Sequence, residues 1–295
     1  MDMSSEERYA DLHTHSQASD GMNTPSQNVK LAVEAGLGAI AVTDHDTVAG
    51  VAEAIEAGKP YDIEVIAGVE ISTREDNKDI HILGYYLNTE DPILLERLQQ
   101  LREVRDHRNV QILQNLRDLG VEITMEEVIE QLGRELMPDE SIGRPHMADV
   151  LVAKGYATDM KDAFNKYLAE GAAAYVSPPR ITAADAAVWI REANGVPVMA
   201  HPGIYGDDTL VEHILDHSSI AGLEVYHSDH SPEDEQRYLE IAQRRDLIVT
   251  GGSDYHGERQ GKVFHGPLGG KNVPMSTLVQ LRQLQTAIET GITAE

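Results

Sequence analysis

Short apolar runs, each closing on polar residues, recur along the chain with longer amphipathic stretches between them. Tyr9–His13, Gly38–Thr43, Ile63–Val69, Asp79–Tyr86, Val196–Ala200, Leu223–Tyr226 and Asp246–Thr250 predict seven strands. Apolar positions at three- and four-residue spacing predict helices over Pro25–Ala35, Val48–Ala57, Ala183–Ala193, Thr209–His217, Pro232–Arg244 and Met275–Thr290. Thr24 ahead of Pro25 is the expected N-cap of the first, and Gly36 its stop. Strands alternating with helices argue an α/β fold on a parallel or mostly parallel sheet.

The middle of the chain breaks this rhythm. From Pro92 to Ala174 no run reads as a strand, whereas Leu94, Leu98, Leu101 and Val104, then Ile112, Leu113 and Leu116, fall at helical spacing within Ile93–Leu119. Further helices are predicted over Met125–Leu132, Pro145–Lys154 and Asp159–Leu168. The expected organisation is a barrel from residues 1–91, a helical insertion over 92–180 lying across one side of its mouth, and the rest of the barrel over 181–295.

Composition narrows the class. The 295 residues include no cysteine, which excludes disulfides and thiolate chemistry. No apolar window is long enough to span a membrane, and the acidic segment Met1–Glu7 has no apolar core of a secretory leader, so a soluble cytoplasmic protein is expected. The formal charge of −26 repels polyanions and argues against a basic face for long nucleic acid. Arginine outnumbers lysine by 16 to 8, and the acid excess runs through the whole chain, as in a proteome adapted to concentrated salt.

The chemistry gathers where the strands end. His13, His15, His45, His81, His201, His227 and His256 lie at or beside predicted strand ends, with Asp20, Glu70 and Asp254. In a closed parallel barrel, active sites form at the carboxyl ends of the strands. His13 and His15 point to one side of an extended chain, because side chains alternate along a strand. Burying so many imidazoles and carboxylates together is costly without a cation. Nitrogen and oxygen donors without sulfur suit manganese, zinc or iron. Nothing in the residues alone assigns a ligand to a particular ion.

Asp11-Leu12-His13-Thr14-His15, Ser19-Asp20-Gly21, Thr43-Asp44-His45-Asp46, Gly68-Val69-Glu70, His81, His201-Pro202 and Asp254-Tyr255-His256 together resemble the successive motifs of the PHP (polymerase and histidinol phosphatase) family of metal-dependent phosphoesterases. The resemblance implies a distorted (β/α)7 barrel holding three divalent ions. By position it gives one ion His13, His15, Glu70 and Asp254, a second Asp20, His45 and His256, and a third His81 and His201 with Glu70 shared. Gly68–Thr73, the helical insertion and Ile142–His146 look most like the branch containing 3′,5′-nucleoside bisphosphate phosphatases. Those proteins are similar in removing the 3′-phosphate of a small nucleotide, and some relatives trim short oligonucleotides from the 5′ end.

Ions about 3.5–4 Å apart lower the pKa of water toward neutrality, so the expected nucleophile is hydroxide and no protein nucleophile is required. Asp254 is expected in the catalytic group. His227 is the candidate for contact with the leaving oxygen, with a supporting hydrogen bond to a ligand as its other role. Arg144, His146 and Arg180 are the candidates for a second phosphate. Asp44 is expected to orient an imidazole and Asp46 to cap a helix; His107, His213, His217 and His230 are expected in solvent. Gly251-Gly252 suits a close approach of backbone to the site. The competing readings are a 5′→3′ exonuclease on short oligonucleotides, a histidinol-phosphate phosphatase, and a non-catalytic metal-binding docking module.

Overall fold

The computed structural model describes residues 8–291. Residues 1–7, on which the expectation of no secretory leader rests, lie outside the described residues, as do 292–295. In chain order the elements are β1 (Tyr9–Asp11), α1 (Pro25–Glu34), β2 (Ala39–Val42), α2 (Val51–Gly58), β3 (Glu64–Glu75), β4 (Lys78–Tyr85) and α3 (Pro92–Asp118). Then follow α4 (Met125–Gln131), α5 (Arg144–Ala153), α6 (Met160–Ala163) running into a π-helical turn over Phe164–Leu168, α7 (Ala183–Glu192) and β5 (Val196–Met199). The chain continues with α8 (Asp208–His217), β6 (Gly222–His227), α9 (Pro232–Arg244), β7 (Ile248–Gly252), a small hairpin of β8 (Glu258–Arg259) and β9 (Lys262–Val263), β10 (Val273–Pro274) and α10 (Ser276–Thr290). No described helix is long and apolar enough to cross a membrane.

The sheet runs β10-β1-β2-β3-β4-β5-β6-β7 and nearly closes into a barrel. Leu12 N donates to Gly251 O at 3.2 Å, and Thr14 bridges Tyr255, which joins the last large strand to the first. The fold is thus the expected distorted barrel, and all seven anticipated strands are present. Its distortion has a local cause. β4 is antiparallel to both β3 and β5. β3 and β4 are joined by Asp76 and Asn77, with φ of 44° and 65°. Asx residues tolerate that left-handed region, so a two-residue hairpin replaces a crossover helix at this point.

Local chemistry sets the helices. Thr24 accepts from Gln27 N at 3.1 Å while Gln27 returns a bond to Thr24 N, a capping box ahead of Pro25. Ile40 and Val42 pack under α1 and α2, and Met199, Leu223 and Val225 lie in one cluster with residues of α7, α8 and α9. Inside the barrel, Tyr85 of β4 donates its hydroxyl to Leu12 O, across strands that are not neighbours, at 2.9 Å.

The long helix α3 serves two cores. Leu94, Leu98 and Leu101 belong to the cluster of the barrel, whereas Ile112, Leu113 and Leu116 join Met147, Leu151 and Leu168 in a separate cluster built by the inserted helices. Truncating one such fully buried leucine to alanine costs about 2–5 kcal/mol. Rigid attachment of α3 to both cores holds the insertion beside the carboxyl ends of the strands.

Candidate metal centre

His13 and His15 leave β1 on the same side, fully buried, with ring centroids 5.2 Å apart. His13 Nε2 lies 3.4 Å from Glu70 Oε2 and 3.3 Å from Asp254 Oδ1; His15 Nε2 lies 3.2 Å from each of the same two oxygens. Asp20 Oδ1 is 3.3 Å from His256 Nε2, and its other oxygen is 3.8 Å from His45 Nε2. Glu70 Oε1 faces His81 Nδ1 at 2.9 Å and His201 Nε2 at 3.0 Å. His45 stands between the groups, its Nδ1 being 3.0 Å from Glu70 Oε2.

These spacings fit cations. Donor atoms at about 2.1 Å from a first-row ion are about 3.0–3.4 Å from one another along octahedral or tetrahedral edges. Among these contacts hydrogen bonding accounts for His201 Nε2 with Glu70 Oε1 alone: His13 Nε2, His15 Nε2, His45 Nδ1, His81 Nδ1, Asp20 Oδ1, Glu70 Oε2 and Asp254 Oδ1 are all buried without a hydrogen-bond partner. Burial opposes ionisation of Asp20, Glu70 and Asp254, yet the surrounding imidazoles hold all three well below the usual carboxylate range. Burial lowers His45 and His256, and brings His201 down to about 4, so these imidazoles are neutral and able to donate a lone pair. Burial alone would also lower His13 and His15. Their carboxylates overcome it, carrying His13 well above its usual value and His15 up to about 10. That excess of negative charge calls for a cation, and the donor set suits a divalent metal.

Residues 11–119 match the PHP domain. The chain is 36% identical over 253 residues to the 5′-3′ exoribonuclease Rnm of Escherichia coli, covering 83% of this chain and 84% of that protein. It is 35% identical over 255 residues to the 3′,5′-nucleoside bisphosphate phosphatase of Chromobacterium violaceum, covering 85% and 88%. The chain belongs to the PHP family. A solved structure from Bifidobacterium adolescentis, assigned as a metal-dependent phosphoesterase, superposes with a TM-score of 0.82 at 30% identity, covering 92% of this chain and 94% of that one. This PHP protein is a hydrolase of phosphoric esters, and divalent metal ions are its cofactors.

The supports of the PHP centre include groups that the sequence did not single out. Glu224, fully buried in β6, takes His13 Nδ1 at 3.0 Å and the backbone N–H of His201 at 2.8 Å, so one carboxylate orients two imidazole-bearing residues. Its signal was a lone acid inside the apolar run Leu223–Tyr226. Asp44 does not orient an imidazole; it accepts from Ser16 N, Ser16 Oγ and Ser19 Oγ and so fixes the loop that presents Asp20. Asp46 caps no helix, but pairs with Arg105 and accepts from Ser72 N. His230 is buried, not solvated, bonding Val225 O through Nδ1 and accepting from Gly203 N. His201 and Asp254 adopt φ of 26° and 53°, a strained backbone of the kind kept at functional sites. The expected close approach occurs at Gly252, where a Cβ would lie 2.4 Å from both N and Cβ of His13.

The remaining expected site residues separate. Arg144 and Arg180 line a cavity of about 380 Å³ together with His45, His81, His201, His256, Glu70 and Asp254. His146 does not line it. This imidazole is buried, accepts from Gly143 N at 3.0 Å, and is pushed down to about 3 by burial and the nearby Arg259. It belongs to the start of α5. His227 is fully buried behind the centre. Its Nδ1 accepts from Asp229 N at 3.1 Å, which leaves Nε2 to donate to Asp254 Oδ2 at 3.3 Å. The geometry favours the supporting role of His227 over contact with a leaving group. His265 also stands on the cavity wall, where it pairs with Asp229 and lies 3.5 Å from Asp254 Oδ2.

Proposed function

We propose that the protein removes the 3′-phosphate of a nucleoside 3′,5′-bisphosphate. The observation that carries this reading is an unmatched group of arginines beside the metal centre. Arg105 is occupied by Asp46, and Asp79 is taken by Arg74 at 2.7 Å and approached by Arg144 at 3.6 Å. Arg180 keeps a buried Nη1 without a hydrogen-bond partner. Arg108 is 2% exposed and, among the described residues, bonds Asn109 Oδ1 but meets no carboxylate. Burial, with the like charges of Arg105, Arg144 and Arg180, drives its guanidinium well below the ordinary value. In a chain of charge −26 this local cationic excess serves an anion. A substrate with one phosphate would need the metal centre alone, so the second anion site implies a second phosphate.

In this reading His13, His15, Glu70 and Asp254 hold one divalent ion, Asp20, His45 and His256 a second, and His81 and His201 a third that shares Glu70. Bound there, manganese, zinc or iron supplies Lewis acidity at the phosphoryl oxygens and lowers the pKa of water. Arg144 and Arg180 clamp the 5′-phosphate, fixing the distance from it to the scissile ester. Glu224 and His227 hold His13 and Asp254 in register, and His265 is the imidazole able to meet the leaving 3′-oxygen.

The same geometry serves a 5′-phosphorylated oligonucleotide. Both reactions break the P–O3′ bond of the nucleotide whose 5′-phosphate is clamped, and differ only in whether that phosphorus carries a further nucleoside. A second cavity, lined by Lys161, Arg259 and Lys262, shares Phe264 with the first and offers a path for such a chain. Purified protein with Mn²⁺ is expected to release phosphate faster from adenosine 3′,5′-bisphosphate than from adenosine 5′-monophosphate. Stepwise release of mononucleotides from 5′-phosphorylated RNA at a higher kcat/KM would move the assignment to the exonuclease. Negligible rates on all three with metal bound would refute both.

A further inference from the structure

The chain contains two phenylalanines, and both line the metal cavity. Phe164 comes from the insertion and Phe264 from the segment after β9, some hundred residues away in sequence and from a different part of the fold. Each ring is half-buried, neither sealed in a core nor fully in solvent. Ile204, 49% exposed, and Pro145 extend the same apolar wall. Phosphoryl transfer at a metal centre has no use for such a wall, whereas the faces of a nucleobase do.

Backbone structure fixes where these rings stand. Phe164 opens the π-helical turn, in which Ala169 N reaches back to Phe164 O at 2.8 Å. Turns of this kind occur at functional sites. Arg144 donates to Leu168 O of the same turn at 3.2 Å, so the phosphate-binding guanidinium and the ring are tied to one piece of backbone. Phe264 stands nearly perpendicular to His256 at 6.2 Å and to His265 at 4.7 Å, which anchors it to a metal-centre imidazole and to a second imidazole of the cavity wall.

We propose that Phe164 and Phe264 form the seat of the nucleobase, a sequence-tolerant aromatic surface between the arginines and the metal centre. The seat rests on the nucleotide reading above and adds to it the element that tells a nucleotide from a base-free sugar bisphosphate. Every base offers a π-face, so the seat selects for the presence of a base and little for its identity.

The test compares kcat/KM for adenosine 3′,5′-bisphosphate and for 1-deoxyribose 3,5-bisphosphate in the Mn²⁺-loaded wild type and in Phe164→Ala, Phe264→Ala, Phe164→Leu and Phe264→Tyr. Each alanine variant is expected to lose about 5- to 100-fold on the nucleotide, mostly through KM, with the base-free substrate changed little. The leucine variant keeps apolar packing and should still lose discrimination; the tyrosine variant keeps a ring and should retain it. Equal losses on both substrates, or none on either, would overturn the seat and leave the rings as packing for the insertion. Wild-type protein inert on both substrates would instead sink the reaction assignment, and the seat with it.

Discussion

Arg108 offers the sharpest test of the arginine group, because its removal should stabilise the fold while weakening ligand binding. Replacing a buried ion pair by apolar side chains of similar volume is neutral or stabilising by about 1–4 kcal/mol. A charge with no partner gives up no attraction, so it belongs at the upper end of about 3–4 kcal/mol. Arg108→Met also strips Asn109 Oδ1 of the bonds from Nε and Nη2, the latter 2.8 Å long. That loss leaves a buried acceptor unpaired and takes back about 1–3 kcal/mol. The net expectation is about 0–3 kcal/mol of added stability. For a protein of this size each kcal/mol moves Tm by about 2 °C, so the variant should melt up to about 6 °C higher in anion-free buffer. Adenosine 5′-monophosphate at a hundredfold excess over its Kd should add about 2.7 kcal/mol to the wild type. At the same concentration the variant should gain less, because one of the positive charges grouped with Arg105, Arg144 and Arg180 is gone. Differential scanning fluorimetry with and without the nucleotide reads both effects. A Tm clearly below wild type without ligand, or an undiminished nucleotide shift, would refute the view that this charge is held for an anion.

Glu224→Gln keeps the shape of the group that bonds His13 and His201 N but removes its charge; Mn²⁺ affinity by calorimetry should fall about 10- to 100-fold, and an unchanged value would mean His13 orients itself. Gly252→Ala forces a methyl within 2.4 Å of His13 N, so it should cost about 1–3 kcal/mol and displace a ligand, seen as lower Tm together with substoichiometric metal. His146 is held neutral in the fold, with its pKa brought to about 3 from 6.5. The unfolded chain therefore binds more protons between those values, and stability falls as pH drops through that window. His146→Gln should abolish that contribution, flattening the dependence of unfolding free energy by up to about 1.4 kcal/mol per pH unit between pH 6 and 4. Parallel wild-type and variant curves would contradict a buried neutral imidazole.

Much of the barrel was legible because its strands are short apolar runs and its candidate ligands sit where those runs stop. His13 and His15 declare themselves through a two-residue spacing that only an extended chain converts into convergence. The reversal of β4 was harder to see: its cause is the pair Asp76-Asn77, two residues whose left-handed backbone makes a hairpin where the alternation of strand and helix asked for a crossover. Asp44, Asp46 and His230 were misread for a related reason. A carboxylate beside a histidine in sequence need not face it in space, and Asp44 and Asp46 turn to a serine loop and to Arg105 instead.

The arginine group was legible in a way that hydrophobic periodicity conceals. Along α3 the buried positions run Leu94, Leu98, Leu101, Arg105, Arg108, Ile112, at spacings of four, three, four, three and four. That is one continuous stripe facing the protein interior, and stability alone would fill every position on it with leucine. Reading only apolar residues ends the stripe at Val104, which lies to its side, and restarts it at Ile112. The gap is the informative part. A charged residue at a core position of an otherwise regular helix costs stability unless something neutralises it, and Arg105 has Asp46 while Arg108 has no carboxylate in contact among the described residues. The same helix joins the barrel core to the insertion core, so it places those cations at a fixed distance from Glu70 and Asp254. In the proposed reaction, the helix sets the distance between the anion site and the metal centre, and so the length of the substrate.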